Sequence, residues 1–325
     1  MGSWPIGFDD VLAARERLRS HLEPTPLRSY PALDAAVGHG IRLWVKHENH
    51  NPTNAFKARN GLAALTLLDA EARRRGVAAA STGNHGQGVA WAGGLLGAPV
   101  TICVPAGNNP EKNAAMRALG ATVVEQGRDY DEAVEVCARL ARERGLTIVH
   151  STNDRGVIAG ASTLSLELLE QRPQIQALVM AIGGGSQAVG AMVAARGLGR
   201  ELAVYGVQSE GAPAIYESWT QGRVVVKDDV RTFAEGIATR TAYELTFGAL
   251  REGLAGFVAV SEGELAEALR LLLRITHNLV EGAGAAGLAG LLRLRQQLEG
   301  REVGIVISGG NIDAATLRRV IDKTI

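Results

Sequence analysis

Lys57 stands at the centre of the run Asn51-Pro-Thr-Asn-Ala-Phe-Lys-Ala-Arg-Asn-Gly61. An apolar strand, Ile41 to His47, precedes it through a Pro/Asn turn, and a helical run, Ala58 to Arg75, follows it. A lysine at such a junction is held by two rigid elements, and beside Phe56 its amine gives up part of its water. Desolvation disfavours the charged form and lowers an amine pKa from its usual value of about 10.4. A lysine tuned in this way suits Schiff-base chemistry. The plainer reading, a surface lysine that opens a helix, is overturned by three later segments.

The first is Ser81-Thr-Gly-Asn-His-Gly-Gln-Gly88, between the strand Val77 to Ala80 and the helix Val89 to Leu96. Hydroxyls and unpaired backbone N–H groups at a helix start make a carboxylate site. The second is Ile182-Gly-Gly-Gly-Ser-Gln187, between the strand Ala177 to Ala181 and the helix Ala188 to Ala195. Successive glycines let backbone amides wrap an anion, and the helix dipole favours phosphate there, so a side chain at Gly184 is expected to intrude on that anion. The third, Val306-Ile-Ser-Gly-Gly-Asn311, puts Ser308 at the carboxyl end of the last strand. Each alone is an ordinary loop; their order and spacing are the signal.

Taken together, these segments resemble the catalytic set of the fold-type II pyridoxal-phosphate enzymes, within them the serine/threonine dehydratase and serine racemase group. The resemblance runs from Thr25-Pro-Leu27 through Gly156-Val-Ile-Ala-Gly160 and Phe233-Ala-Glu-Gly236 to the final Ser-Gly-Gly-Asn. It implies that Lys57, beside Phe56, carries pyridoxal 5′-phosphate as a Schiff base. It implies further that Asn84 bonds the ring hydroxyl, that Gly183, Gly184, Gly185 and Ser186, with Gln187 alongside, hold the phosphate, and that Ser308 faces the ring nitrogen. Ser81, Thr82, His85 and Gln87 would surround the substrate carboxylate, with Asn54 flanking the pocket.

The expected reaction is loss of the β-hydroxyl of L-threonine, L-serine or a related amino acid, giving a 2-oxo acid and ammonia. A neutral hydroxyl at Ser308 stabilises a long-lived carbanion less well than a carboxylate would, which favours prompt elimination. Four departures bear on this reading. Asn54 and Asn60 stand where glycine is usual, and asparagine tolerates left-handed backbone. Thr82 replaces the serine that resembles the second acid of the racemases. The acidic pair resembling their metal site falls on Gln208 and Ala214, so no metal is expected. Racemisation and β-replacement remain the alternatives, and the amides of Asn54 and Gln187 leave open a 3-hydroxyaspartate-like, phenylserine-like or hydroxyectoine-derived substrate.

The positioning elements follow from the strand pattern. Candidate strands are Leu43 to His47, Val77 to Ala80, Val100 to Val104, Thr122 to Glu125, Thr147 to His150, Ala177 to Ala181, Val204 to Gln208, Phe257 to Val260 and Val303 to Ile307. Helical stretches separate most of them, after an opening helix near Asp9 to Leu22. Such alternation predicts an α/β fold of mostly parallel, helix-covered sheets. With the resemblance, it becomes two open twisted sheets: a small mobile domain over residues 76–150, and a large one formed by residues 1–75 and 151–325, with the cofactor between them. Arg223 to Ala238 has no clear period and reads as an irregular crossover. With so few residues after Ser308, no C-terminal regulatory domain is expected.

Other readings are weaker. Gly282-Ala-Gly-Ala-Ala-Gly287 fits a dinucleotide pattern, but Leu265 to Asn278 before it is helical in period and the next acidic residues, Glu299 and Glu302, come at the wrong distance. Small residues in a closely packed helix account for it better. His47-Glu-Asn-His50 sits at a strand end rather than on a helix, and Gly184-Gly-Ser-Gln-Ala lacks the last glycine of a hydrolase elbow. A pyridoxal-binding paralogue without turnover is the remaining non-enzymatic reading. Acidic and basic residues balance at 34 each, which gives no footprint for nucleic acid. No apolar run reaches membrane-spanning length, and Met1 to Leu12 lacks a signal-peptide core. Cys103 and Cys137 read as buried free thiols. A cytoplasmic homodimer acting on a small amino acid is the expectation.

Overall fold

The computed structural model describes residues 4–325; Met1 to Ser3, part of the N-terminal reading above, lie outside them. Ten strands among the described residues form two sheets. β1 (Leu27–Ser29), β2 (Arg42–His47), β7 (Ala177–Ala181), β8 (Ala203–Ser209), β9 (Gly256–Val260) and β10 (Glu302–Ile307) make a six-stranded sheet ordered β1-β2-β10-β7-β8-β9. β3 (Val77–Ala80), β4 (Val100–Val104), β5 (Thr122–Glu125) and β6 (Thr147–Ile148) make a four-stranded one ordered β5-β4-β3-β6. Every pairing is parallel except β1 with β2. The sheets are parallel because helices cover both faces, and their central strands are accordingly apolar throughout, as in Ala177-Leu-Val-Met-Ala181.

The helices in chain order are α1 (Phe8–Leu18), α2 (Pro31–Val37), α3 (Lys57–Leu65), α4 (Ala70–Arg75), α5 (Asn84–Leu96), α6 (Pro110–Ala118), α7 (Tyr130–Arg144), α8 (Arg155–Gln171), α9 (Ser186–Gly197), α10 (Ala214–Gln221), α11 (Glu244–Gly253), α12 (Glu262–Thr276), α13 (Gly282–Leu294) and α14 (Ala314–Ile321). The Gly-Ala-Gly run is the start of α13, as close-packing predicts. A Cβ on Gly284 or Gly287 would press on the carbonyls of Gly309 or Val179.

Several elements differ from the sequence expectation. The single helix over Ala58 to Arg75 is two, because Thr66 turns its hydroxyl back to the Ala63 carbonyl and Asp69 caps a new helix through Ala72 N–H, at 2.7 Å. β1 was not anticipated; its three residues follow Pro26, too short to show a period. β6 stops at Ile148 rather than His150, because His150 Nδ1 accepts the N–H groups of Thr152 and Asn153 at 2.9 and 2.8 Å, which bends the chain out of the ladder. Arg223 to Ala238 is irregular as expected, apart from one short turn, Glu235–Ile237.

The helix that begins at Lys57 is anchored by an ionic cluster in the interior. Arg59, 1% exposed, donates Nε and Nη2 to Glu48 at 2.7 and 3.0 Å, and Nη1 and Nη2 to Glu167 at 2.6 and 2.8 Å. Lys46, wholly buried, donates to the same Glu167 at 2.9 Å. Burial works against the Arg59 charge, but the two carboxylates outweigh it and hold the guanidinium more firmly protonated than a free one. Breaking a buried pair from one side leaves an uncompensated charge and costs about 3–5 kcal/mol. Arg59→Met is therefore expected to lower unfolding free energy in denaturant titrations by about that amount; a loss under about 1 kcal/mol would mean the cluster is dispensable.

Candidate active site

The loops at the carboxyl ends of the two sheets meet around Lys57. The residues before it are clamped to the loop after β10: Phe56 N–H donates to the Ser308 carbonyl at 3.0 Å, Ala55 pairs with Gly309 in an isolated bridge, and Gly310 N–H donates to the Asn54 carbonyl at 2.9 Å. Asn54 makes this turn in a left-handed conformation, φ 53°, so the asparagine preserves what glycine would supply. Asn60 does not need that tolerance, since it lies inside α3; it is fully buried with neither end of its amide partnered, and nothing in the structure explains it. The Lys57 amine donates to the Ser151 carbonyl at 3.1 Å and lies 5.0 Å from the Phe56 ring centre. Burial pushes it down to about 8.

The glycine loop after β7 is enclosed. A Cβ on Gly183 would strike the Gly236 carbonyl, one on Gly184 the Thr152 side chain, and one on Gly185 the Leu250 side chain. Gly185 takes the left-handed conformation, φ 90°. Gly185 caps α9 without a side chain, so the first N–H groups of α9 point into the loop unpaired by any cap. Ser186 and Gln187 follow, both buried, and Gln187 Oε1 has no partner.

The turn after β3 folds around Ser81, whose hydroxyl oxygen accepts Gly83 and Gly86 N–H at 3.2 and 2.9 Å. Its own proton stays free to donate. Thr82 is half-buried and its carbonyl accepts from Asn108; Gln87 is buried one turn into α5. His85 is buried, with Nε2 2.9 Å from the Val149 carbonyl. A carbonyl only accepts, so Nε2 carries the proton and Nδ1, which has no partner, is the acceptor. Burial, then the Lys57 charge, push this ring down to about 3, so it is neutral in ordinary buffers.

Asn84, the first residue of α5, belongs to a chain of amides that runs one way. Asn54 Nδ2 donates to Asn311 Oδ1 at 3.4 Å, Asn311 Nδ2 to Asn84 Oδ1 at 2.7 Å, and Asn84 Nδ2 to Glu281 Oε1 at 2.7 Å. Glu281, half-buried at the start of α13, is pushed up to about 7 by burial, with the Lys112 charge opposing. Lys112 itself pairs with Glu235. Sequence reasoning missed Glu281, Ser151 and Thr152. Glu281 had one available signal: an acid directly before a glycine-rich helix. Gln208 is tied inside the fold, Oε1 accepting Ile215 and Tyr216 N–H at 3.1 and 3.0 Å and Nε2 donating to Thr239 at 2.9 Å. Among the described residues no group of three His, Cys, Asp or Glu side chains is placed to hold a metal.

The enclosed glycine loop, the uncapped helix and a low-pKa amine define a site for a phosphorylated carbonyl compound. Residues 18–309 match the pyridoxal-phosphate dependent enzyme family, and the chain belongs to it. An L-threonine ammonia-lyase of Thermotoga maritima is 38% identical over 318 residues, 98% of this chain and 79% of that protein. An L-threo-3-hydroxyaspartate ammonia-lyase of a Pseudomonas species is 37% identical over 94% of this chain and 95% of that one. The structure of maize serine racemase is similar with a TM-score of 0.93 at 28% identity, covering 99% of this chain and 98% of that one. Pyridoxal phosphate fits the residues present: the loop has no room for side chains but has free amides for a phosphate.

Acylation of Lys57 in cofactor-free protein, followed by peptide mapping across a pH series, is expected to show a midpoint near 8. A midpoint at about 10.4, that of an ordinary lysine, would mean that burial does not tune this amine.

Proposed function

We propose that the protein is an ammonia-lyase that eliminates the β-hydroxyl of L-threonine, L-serine or a closely related β-hydroxy amino acid, releasing a 2-oxo acid and ammonia. The observation that carries this reading is the Lys57 amine, at the start of α3 with a pKa lowered to about 8 and bonded to the Ser151 carbonyl, next to the Thr152 side chain that closes over Gly184 of the uncapped glycine loop. The names of the two relatives above, each about as similar to this chain as the other, support the reaction class.

In this reading Lys57 holds the cofactor, Gly183, Gly184, Gly185 and Ser186 hold its phosphate, Asn84 meets its ring oxygen and Ser308 its ring nitrogen. When bound, pyridoxal phosphate supplies the electron sink that makes the α-proton acidic. The protein supplies orientation and proton control. The free hydroxyl proton of Ser81, the Thr82 hydroxyl and the N–H groups at the start of α5 bind the substrate carboxylate, which aims the α-proton at Lys57. With its pKa lowered to about 8, the Lys57 amine is half unprotonated at pH 8, far more than an ordinary lysine, and takes that proton as general base. His85, neutral and turned to the Val149 carbonyl, positions the start of α5 rather than moving a proton. The unit of residues 76–150 would bring Ser81 and Thr82 to the substrate; its four-stranded sheet shares no strand pairing with the larger one. We place the enzyme in the cytoplasm as a homodimer, in keeping with its unpaired cysteines, Cys103 and Cys137.

A coupled ammonia and 2-oxo-acid assay across β-hydroxy amino acids of both configurations tests the reading. Turnover of at least one L-β-hydroxy substrate is expected, with Lys57→Ala losing it while melting as a folded protein. D/L interconversion or thiol-dependent replacement without ammonia would transfer the claim to a racemase or β-replacement enzyme.

A further inference from the structure

We propose that Glu281 is a positioning residue that fixes the Asn84 carboxamide with an N–H, rather than its carbonyl, toward the cofactor's ring oxygen. This rests on the reading of Asn84 given above. The argument is one of direction. An ionised carboxylate only accepts, so the Asn84 terminus that meets Glu281 at 2.7 Å is Nδ2. From the other side, Asn311 Nδ2 donates to the Thr53 carbonyl at 2.8 Å as well as to Asn84 Oδ1, so both of its hydrogens are committed. Asn84 is thereby oriented from both ends.

The Nδ2 group has two hydrogens and Glu281 takes one. The second is left for the cleft. A donor there stabilises a ring oxygen carrying negative charge, whereas a carbonyl turned to the same place would repel it.

The placement of Glu281 is itself constrained. Its backbone N–H donates to the Gly309 carbonyl at 3.1 Å, next to Ser308, and its side chain leaves the N-terminus of α13 uncapped to reach Asn84. A Cβ on Gly309 would meet the Glu281 carboxyl, so the chain beside Ser308 is bare where this carboxylate lies. The residue thus spans the two sheets: it starts a helix packed on the larger one and holds the first residue of a helix packed on the smaller.

Binding measurements separate positioning from mere structure. Affinity for pyridoxal phosphate and for its 3-deoxy analogue, which lacks the ring hydroxyl, is measured at pH 8 in wild type, Glu281→Leu, Asn84→Ala and the double variant. Glu281→Leu is expected to weaken pyridoxal phosphate about tenfold, as for one charge-assisted hydrogen bond, and to leave the analogue within about twofold. In the Asn84→Ala background it should add nothing. Glu281→Gln, which keeps an acceptor for Asn84, should recover most of the loss. Equal weakening of both ligands, or an undiminished effect without the Asn84 side chain, overturns the positioning role while leaving the cofactor site standing. Failure of the wild type to bind pyridoxal phosphate overturns both.

Discussion

The site depends on one guanidinium that never approaches it. Arg59 lies two residues beyond Lys57, and its double engagement of Glu48 and Glu167 ties α3 to the end of β2 and to the flank of α8. With Lys46 the cluster is electrically balanced, and only Glu167 reaches partly to solvent. Such an arrangement contributes less to net stability than its distances imply, because desolvating four charges is expensive. Its value is geometric. A planar five-donor group satisfied on both sides fixes rotation of the helix, and rotation of α3 decides where the Lys57 amine points.

Two further contacts complete that placement. The loop after β10 grips residues 54–56 through backbone bonds, which sets the lysine along the helix axis. Gly61 and Gly88 let α3 and α5 touch backbone to backbone, since a Cβ on either would collide with a carbonyl of the other helix. Lys57 is therefore registered against both sheets at once, and the loop holding Ser81 and Asn84 is registered against Lys57.

Much of this was legible in the residues. Strand positions followed from short apolar runs between glycine-rich turns, and most were right to within a residue, because a parallel strand covered on both faces shows itself by composition. The loops that hold the glycines and Ser308 were legible because each follows a strand end, and Lys57 because it opens a helix after a Pro/Asn turn, places where backbone geometry restricts what can stand. Glu281 was not visible. Its partner Asn84 lies far away in sequence, and an acid before a helix ordinarily reads as a cap. The role of Asn54 was only half visible: the tolerance for positive φ was foreseen, while its place at the head of an amide chain depends on a contact with Asn311 that no local pattern encodes. The break between α3 and α4 was missed because Asp69 competes with a helical period that is otherwise continuous.

The chain from Asn54 through Asn311 and Asn84 to Glu281 has one more property. Carboxamides transmit polarity but do not conduct protons: unlike a hydroxyl or an imidazole, an amide nitrogen neither gives up nor gains one under ordinary conditions. A carboxyl group can therefore change its charge a few ångströms from the reaction without passing a proton into it. That side of the cleft is electrically tuned yet insulated, like a dielectric rather than a wire.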